Sequence, residues 1–179
     1  MRAQVGLILV AAILVAACSG ATTTSGSGAP LTGDEVWRTA TLRDVATGEE
    51  FRIADLEGKV VAIETMAIWC TTCRQQQAQA QAALAIVDSA DVVYVSLDVD
   101  PNERAEDLAD YAAREGFGWT FAVSPVEVSR SLAATFGDQV LSPPSTPVIV
   151  LGPDGQLIEK HIGIKSADDL VALFQAHLP

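Results

Sequence analysis

The strongest constraint on the fold is an apolar run that ends shortly before a pair of cysteines. The run Val60–Met66 is rich in Val, Ala and Ile, which is typical of a strand buried on both faces. Cys70 and Cys73 follow it, and the Ala- and Gln-rich stretch Gln75–Val87 then favours a helix. A strand, a CxxC pair and a helix in this order place one thiol at a helix N-terminus.

A CxxC pair is compatible with half of a zinc site, a structural disulfide or a redox-active dithiol. Zinc needs about four ligands, but the other candidates are Cys18 and two isolated histidines, His161 and His177, without metal-ligand spacing. At a helix N-terminus, the backbone N–H groups and the helix dipole favour a thiolate. We therefore favour redox chemistry without a metal, with Cys70 as the nucleophile and Cys73 as the thiol that attacks the mixed disulfide.

The N-terminus has the pattern of an export signal. An unbroken apolar run, Val5–Ala17, follows the basic residue Arg2 and is too short to span a bilayer comfortably. It predicts a signal peptide over residues 1–17. Its end, Ala16-Ala17-Cys18, resembles the lipobox of bacterial lipoproteins, which implies an extracytoplasmic protein lipid-anchored to the bacterial cell membrane through Cys18. The alternative is an ordinary cleavage site followed by an incidental cysteine.

The rest of the chain divides into a tether and one domain. Residues 18–33 are rich in Ser, Gly and Thr and uncharged, so they lack the apolar surface needed to fold and are expected to form a flexible tether. Residues 34–179 have the length of a single domain. The chain carries 23 acidic and 11 basic residues, a net charge of −12, which disfavours nucleic acid as a partner.

The hydrophobic pattern of residues 34–179 predicts an α/β domain. Strands are expected in a hairpin of Val36–Leu42 with Glu50–Ile53, in Val60–Met66, in Val92–Asp98, around Phe121–Val123, and in a second hairpin of Val148–Leu151 with Gln156–Ile164. Helices are expected over Gln75–Val87, Glu103–Glu115, Val126–Phe136, and from the capping residue Ser166 to about His177.

Three short motifs stand in order between these elements: Trp69-Cys70-x-x-Cys73, Thr146-Pro147 and Pro153-Asp154-Gly155. Over roughly residues 35–178, the pattern resembles the thioredoxin fold in its membrane-anchored thiol-disulfide oxidoreductase branch, the TlpA/ResA-like group. The resemblance implies a central mixed β-sheet flanked by helices, with an N-terminal β-hairpin and an inserted helical segment. It also implies a thiol-disulfide exchange enzyme without a cofactor, which we expect to be a monomer.

The resemblance assigns roles to four further residues. Pro147 is expected to follow a cis bond and to lie against the cysteines, where Thr146 and Trp69 contact the substrate. Glu64 corresponds to a buried acid beneath Cys73 that takes or returns its proton. Burial of a carboxyl without a basic partner should raise its pKa. The alternative is that Glu64 lies at a strand edge and points to water.

The partners that the resemblance implies are exported proteins with disulfides or thiols, and a membrane redox supplier. Thr146 before the proline favours the reducing direction, whereas Thr71-Thr72 replaces the dipeptides usual between the cysteines and leaves the direction open. The alternatives are a peroxide-reducing redoxin and a non-catalytic copper- or zinc-binding protein. The chain lacks both the CxxxC and histidine of Sco-type copper carriers and the Pro-x-x-x-Thr-x-x-Cys pattern of peroxiredoxins.

Overall fold

The computed structural model describes residues 35–87 and 90–179. The predicted signal peptide, Cys18 and the tether lie outside these residues. The strands are β1 (Leu42–Arg43), β2 (Glu50–Phe51), β3 (Val60–Met66), β4 (Val92–Asp98), β5 (Thr120–Val123), β6 (Val148–Leu151) and β7 (Leu157–His161). The α-helices are α1 (Val36–Thr39), α2 (Thr71–Leu84), α3 (Ala105–Glu115), α4 (Val126–Phe136) and α5 (Ala167–Gln175).

Five of the strands form one mixed sheet in the order β5-β4-β3-β6-β7. β3 is parallel to β4, which is parallel to β5, whereas β6 runs antiparallel to both β3 and β7. β1 and β2 form a separate antiparallel pair. The expected α/β architecture is therefore confirmed, with β3 at the centre of the sheet.

The core lies on both faces of β3, whose seven residues are all buried. On one face, Val61 and Ile63 belong to a cluster that includes Trp37 of α1 and Phe136 of α4. On the other face, Val60 and Ala62 pack in a cluster built from α2 and α5. Helices therefore cover both faces of β3. The chain leaves the C-terminal end of this strand at Met66 and reaches the cysteines where α2 begins.

The first predicted strand is wrong in part. Val36–Thr39 forms a short helix, and the hairpin that follows has strands of two residues each. The cause is long-range packing of Trp37, whose ring meets Phe136 edge-on at 5.2 Å and whose backbone N–H donates to Ser131 Oγ at 3.1 Å. Local sequence pattern does not report contacts with a helix almost a hundred residues away.

The helix after the cysteines begins earlier than predicted, at Thr71 instead of Gln75, because Cys70 caps it. Ser166 caps α5 as predicted, since its side chain accepts a hydrogen bond from the Asp169 N–H at 3.2 Å. No helix in the described ranges is long and apolar enough to cross a membrane.

The glutamines of α2 join that helix to the start of α5. Gln76 is fully buried, and its Oε1 accepts a hydrogen bond from the Lys165 N–H at 2.7 Å. Gln79 Oε1 accepts one from the Ala167 N–H at 2.9 Å. These side chains satisfy backbone donors that would otherwise lack a partner where α5 begins.

We expect Gln76→Leu to destabilise the domain because it leaves the Lys165 N–H without its acceptor. The cost of an unsatisfied buried donor is about 1–3 kcal/mol, measurable by urea unfolding. Gln75→Leu is the matched control, since Gln75 is exposed on the same helix. Equal free energies of unfolding for the two variants would contradict the bridging role of Gln76.

Candidate active site

The two cysteines lie where β3 meets α2. Cys70 is the N-cap of the 14-residue helix α2, and it forms a disulfide with Cys73 in the first turn. The Cys73 N–H donates to Cys70 Sγ at 3.1 Å. Cys70 is 3% exposed and Cys73 is 0% exposed, so Cys70 is the more accessible sulfur.

The two sulfurs have different polar neighbours. Cys73 Sγ lies 3.1 Å from the Pro143 carbonyl oxygen, which would accept a hydrogen bond from the thiol once the disulfide is reduced. Cys70 Sγ lies 3.3 Å from Thr72 Oγ1, which also donates to the Pro144 carbonyl oxygen at 3.2 Å. An acceptor beside Cys73 favours its thiol, whereas the Cys73 N–H at the start of α2 favours a thiolate at Cys70. The single proton of the Thr72 hydroxyl goes to Pro144, so that hydroxyl does not add a donor. The arrangement suits Cys70 for nucleophilic attack.

The loop before Cys70 is tied to the segment after β4. The Ile68 N–H donates to Glu103 Oε2 at 2.8 Å, and the Trp69 indole N–H donates to Asp100 Oδ2 at 2.7 Å. The hydrogen bond from Trp69 is the main cause of a lowered pKa at Asp100. Trp69 is 57% exposed, so its ring is held at the surface beside Cys70. Its contact with a substrate stays a prediction.

Asp98, at the end of β4, is a buried acid that the sequence interpretation missed. One oxygen accepts the Asp100 N–H at 3.0 Å, and the other has no hydrogen-bond partner. Burial raises the pKa of Asp98 to about 8, and the neighbouring carboxylates of Glu103 and Asp100 add to the effect. Glu103 therefore accepts a hydrogen bond from the Ile68 N–H and lies beside Asp98, which keeps its proton near neutral pH.

Glu64 lies in the middle of β3 and is 0% exposed. Its Oε2 accepts hydrogen bonds from Ser96 Oγ at 3.0 Å and from Tyr94 Oη at 3.4 Å. None of the ion pairs found in residues 35–87 and 90–179 includes it. Burial raises the pKa of Glu64 to about 8, against smaller opposing effects of hydrogen bonds from Ser96, Gln77 and Tyr94.

The predicted burial of Glu64 and its raised pKa are thus confirmed, and the alternative of an exposed strand-edge residue is wrong. Its transfer of a proton to or from Cys73 stays a prediction. Sequence reasoning did not identify the hydroxyl groups that face this carboxyl, since they come from β4 and are brought to β3 by parallel pairing of Glu64 with Ser96.

The cis bond expected before Pro147 is wrong, because the described residues contain no cis peptide bond. The chain turns here through a 3-10 turn, Pro143–Ser145, and through Thr146, which has left-handed backbone angles (φ 46°, ψ 58°). Pro147 instead meets β3, where its carbonyl accepts the Thr65 N–H at 3.3 Å. Thr146 is buried. Its predicted contact with a substrate stays a prediction.

The carbonyl groups that reach the CxxC pair therefore belong to Pro143 and Pro144, not to Pro147. The run Pro143-Pro144 was a visible signal in the sequence, since it marks a rigid turn. Its sequence position alone did not show that the Pro143 carbonyl would face Cys73 Sγ, and the expected place of Pro147 against the cysteines stays a prediction.

We expect Glu64→Gln to change how stability depends on pH. The folded protein binds this proton up to about pH 8, whereas the ordinary value is 4.5. The contribution to the free energy of unfolding is therefore full below about pH 4.5 and falls as pH rises through about 8. The variant cannot ionise, so we expect it to be more stable at pH 7 by about 3 kcal/mol, because pH 7 lies 2.5 units above 4.5 and each unit is worth about 1.4 kcal/mol.

The measurement is chemical denaturation of wild type and variant from pH 4 to 9. Ionisation of Asp98 also lowers the free energy of unfolding as pH rises, so the variant keeps part of the pH dependence. The quantity to compare is the difference in free energy of unfolding between wild type and variant at each pH. Glu49→Gln makes the same charge change at an exposed position and serves as the control. A difference between wild type and Glu64→Gln that does not vary with pH would rule out this titration.

No protein-family model and no curated protein sequence matches this chain. Solved structures do match. A thiol:disulfide interchange protein of the thioredoxin family from Chlorobium tepidum is 21% identical, with a TM-score of 0.61 over 78% of this chain and 92% of that one. The thioredoxin domain of a thiol-disulfide oxidoreductase from Bacteroides vulgatus is 14% identical, with a TM-score of 0.61 over 78% and 92%.

A third match is BsSco, a member of the Sco family of cytochrome c oxidase assembly proteins. It is 22% identical, with a TM-score of 0.61 over 76% of this chain and 90% of that one. The matched structures superpose on most of this chain at 14% to 22% identity, so they share its fold but little of its sequence. The chain therefore has the thioredoxin fold.

Proposed function

We propose that the protein is an extracytoplasmic thiol-disulfide oxidoreductase that acts on exported proteins, more in the reducing than in the oxidising direction. The observation that carries the proposal is the Cys70–Cys73 disulfide at the N-terminus of α2, with Cys70 the more exposed of the two. The thioredoxin fold of the matched oxidoreductases supports it. Thr146 before Pro147 supports the reducing direction through the family resemblance.

The reaction begins from the dithiol form. The Cys70 thiolate attacks one sulfur of a substrate disulfide, which forms a mixed disulfide and releases the other substrate sulfur as a thiolate. Cys73 then loses its proton and attacks Cys70 Sγ, so that the second substrate sulfur leaves and the Cys70–Cys73 disulfide forms. Two electrons pass from the protein to the substrate. A membrane dithiol donor returns the pair to the dithiol form.

Glu64 is the proposed acceptor of the Cys73 proton. A pKa of about 8 leaves both the acid and the base form populated near neutral pH, as efficient general acid–base catalysis requires. The carboxyl therefore takes the proton when Cys73 attacks and returns it when the disulfide is reduced again. Trp69 and the backbone at Thr146 are the proposed contacts of the substrate chain.

Neither alternative function gains support from a specific contact. In the part of the chain that the structure describes, no three His, Cys, Asp or Glu side chains are grouped so that they could hold a metal ion. The sequence pattern of peroxiredoxins is absent around Cys70.

We expect Cys73→Ser to accumulate a mixed disulfide at Cys70 when the reduced protein is mixed with a disulfide-containing peptide. The serine cannot attack Cys70 Sγ, so the covalent intermediate persists. Non-reducing electrophoresis and mass spectrometry of the adduct measure it. Cys70→Ser is the matched control and should form no adduct. Reduction of the peptide by Cys70→Ser at the wild-type rate would contradict the assignment of the nucleophile.

The proposed anchor predicts a separate outcome. Cys18→Ala removes the sulfur that would carry the lipid, so we expect the protein to leave the membrane fraction or to stay unprocessed in the bacterial host. Immunoblots of fractionated cells measure this, with Ser19→Ala as the neighbouring control. Unchanged membrane association of Cys18→Ala would exclude the lipid anchor and leave the exchange chemistry untouched.

A further inference from the structure

Gln77 carries a buried amide on the side of α2 that packs against β3. Gln77 is fully buried and follows Cys73 by four residues, so the two side chains lie on the same face of α2. Gln77 Oε1 accepts a hydrogen bond from the hydroxyl of Tyr111, which is buried in one cluster with Cys73. Nothing in the mechanism above uses this pair.

The hydrogen bond from Tyr111 orients the amide. An amide oxygen only accepts, so with Oε1 directed at the Tyr111 hydroxyl the two protons of Nε2 remain for another group. Nε2 is buried and has no partner at normal hydrogen-bond distance, and the same is true of Glu64 Oε1. The Gln77 amide is nevertheless close enough to lower the pKa of Glu64. Packing places the two groups opposite each other, because Ala62 of β3 shares a cluster with Ala80 of α2, and Met66 shares one with Cys73.

The other oxygen of Glu64 already has fixed donors. The Trp119 indole N–H donates to Ser96 Oγ at 3.0 Å, so the single proton of that hydroxyl is left for Glu64 Oε2. Tyr94 Oη donates to the same oxygen. Glu64 Oε1 accepts no hydrogen bond, so it is the carboxyl oxygen left for a proton, and Gln77 Nε2 is a buried donor that is also without a partner.

From these contacts, we propose that Gln77, held by Tyr111, is a positioning residue that stabilises the charged form of Glu64 and so sets the pH at which Cys73 attacks the mixed disulfide. The inference rests on the proposed function, because it assumes that Glu64 accepts the Cys73 proton. Gln77 donates no proton itself. It makes the carboxylate less costly to bury, which lowers the pH needed to form it.

The two tyrosines of this network do not ionise in the same range as Glu64. Burial raises the pKa of Tyr94, on β4, well above its ordinary value. Burial and the charge of Glu64 also raise the pKa of Tyr111, on α3, against smaller effects of Arg74 and Arg114. Both phenols therefore stay protonated as donors. Asp98, two residues after Ser96 on β4, is the other buried carboxyl with a pKa raised to about 8, so the titration of Glu64 has to be followed at its own carboxyl.

The first test is Gln77→Leu, which keeps the volume and removes the amide. We expect the pH midpoint for resolution of the mixed disulfide to rise by about one unit, the size of a hydrogen bond to a buried charge. Rapid-mixing kinetics of the reduced protein with a disulfide-containing peptide, from pH 5 to 10, give the midpoint. Gln75→Leu, exposed on the same helix, should leave it unchanged.

Tyr111→Phe is the second variant, because it removes the hydroxyl and leaves the ring in the core. We expect a smaller rise of the same midpoint, since Gln77 stays but loses the hydrogen bond that orients it. A carbon-13 NMR titration of the Glu64 carboxyl in both variants measures its pKa without any substrate. If Gln77→Leu fails to fold, Tyr111→Phe with this titration still decides the matter.

The outcomes separate this inference from the proposed function. In a Glu64→Gln background, Gln77→Leu should produce no further change in the pH profile of the resolving step. If Glu64→Gln alters that profile but Gln77→Leu and Tyr111→Phe leave the Glu64 titration at its wild-type position, the role of Gln77 is wrong and Glu64 remains the acceptor. If Glu64→Gln resolves the mixed disulfide at the wild-type rate throughout, the acceptor role of Glu64 is wrong, and so is this inference.

Discussion

The structure depends on the complete burial of β3 between two layers of helices. The apolar composition of this strand favours its burial. The end of the strand fixes the point at which the chain leaves the sheet for the cysteines. Burial also destabilises the ionised form of Glu64. A carboxylate removed from water loses its solvation, and none of the ion pairs in the described residues includes this one. Hydrogen bonds from neutral donors on β4 and α2 stabilise the ionised form in part, and the pKa of the carboxyl is about 8.

The reactivity of the two cysteines follows from where α2 begins. Cys70 receives the Cys73 N–H and lies beside the Thr72 hydroxyl, whereas Cys73 faces the carbonyl of Pro143. A backbone N–H at the helix N-terminus meets one sulfur and a carbonyl acceptor meets the other, so one turn of helix contains a position that favours a thiolate and a position that favours a thiol. The proline-rich loop matters because of its carbonyl groups, which would point elsewhere if the loop were extended.

Much of the fold could be predicted from the sequence, because local pattern and tertiary environment agree there. β3, β4, β6 and α4 have the predicted bounds, since strands buried on both faces and a helix ended by Gly137 carry strong local signals. Val36–Thr39 was misassigned because Trp37 is placed by contacts with α4. The cysteines and Glu64 were found from spacing and resemblance.

The groups around the site that sequence reasoning missed are joined to it by pairings distant in the chain. Ser96 reaches Glu64 through the register of β3 with β4, and Glu103 reaches the Ile68 N–H across a turn after β4. The resemblance selected Pro147, whose expected place against the cysteines stays a prediction, and did not identify the Pro143 carbonyl that meets Cys73 Sγ. Motif spacing located the reacting atoms, and the structure was needed to find the groups that tune them.

The choice of neutral donors around Glu64 has a chemical consequence. A lysine beside a buried carboxyl would hold it ionised, with a low pKa and a weak affinity for a proton from a thiol. Ser96, Tyr94 and Gln77 are neutral, so each stabilises the carboxylate without overcoming its desolvation. The pKa therefore stays near that of an ordinary thiol, about 8.5. Between groups of matched pKa, a proton moves in either direction at little cost, so the proposed proton transfer between Glu64 and Cys73 would serve both the formation and the reduction of the disulfide.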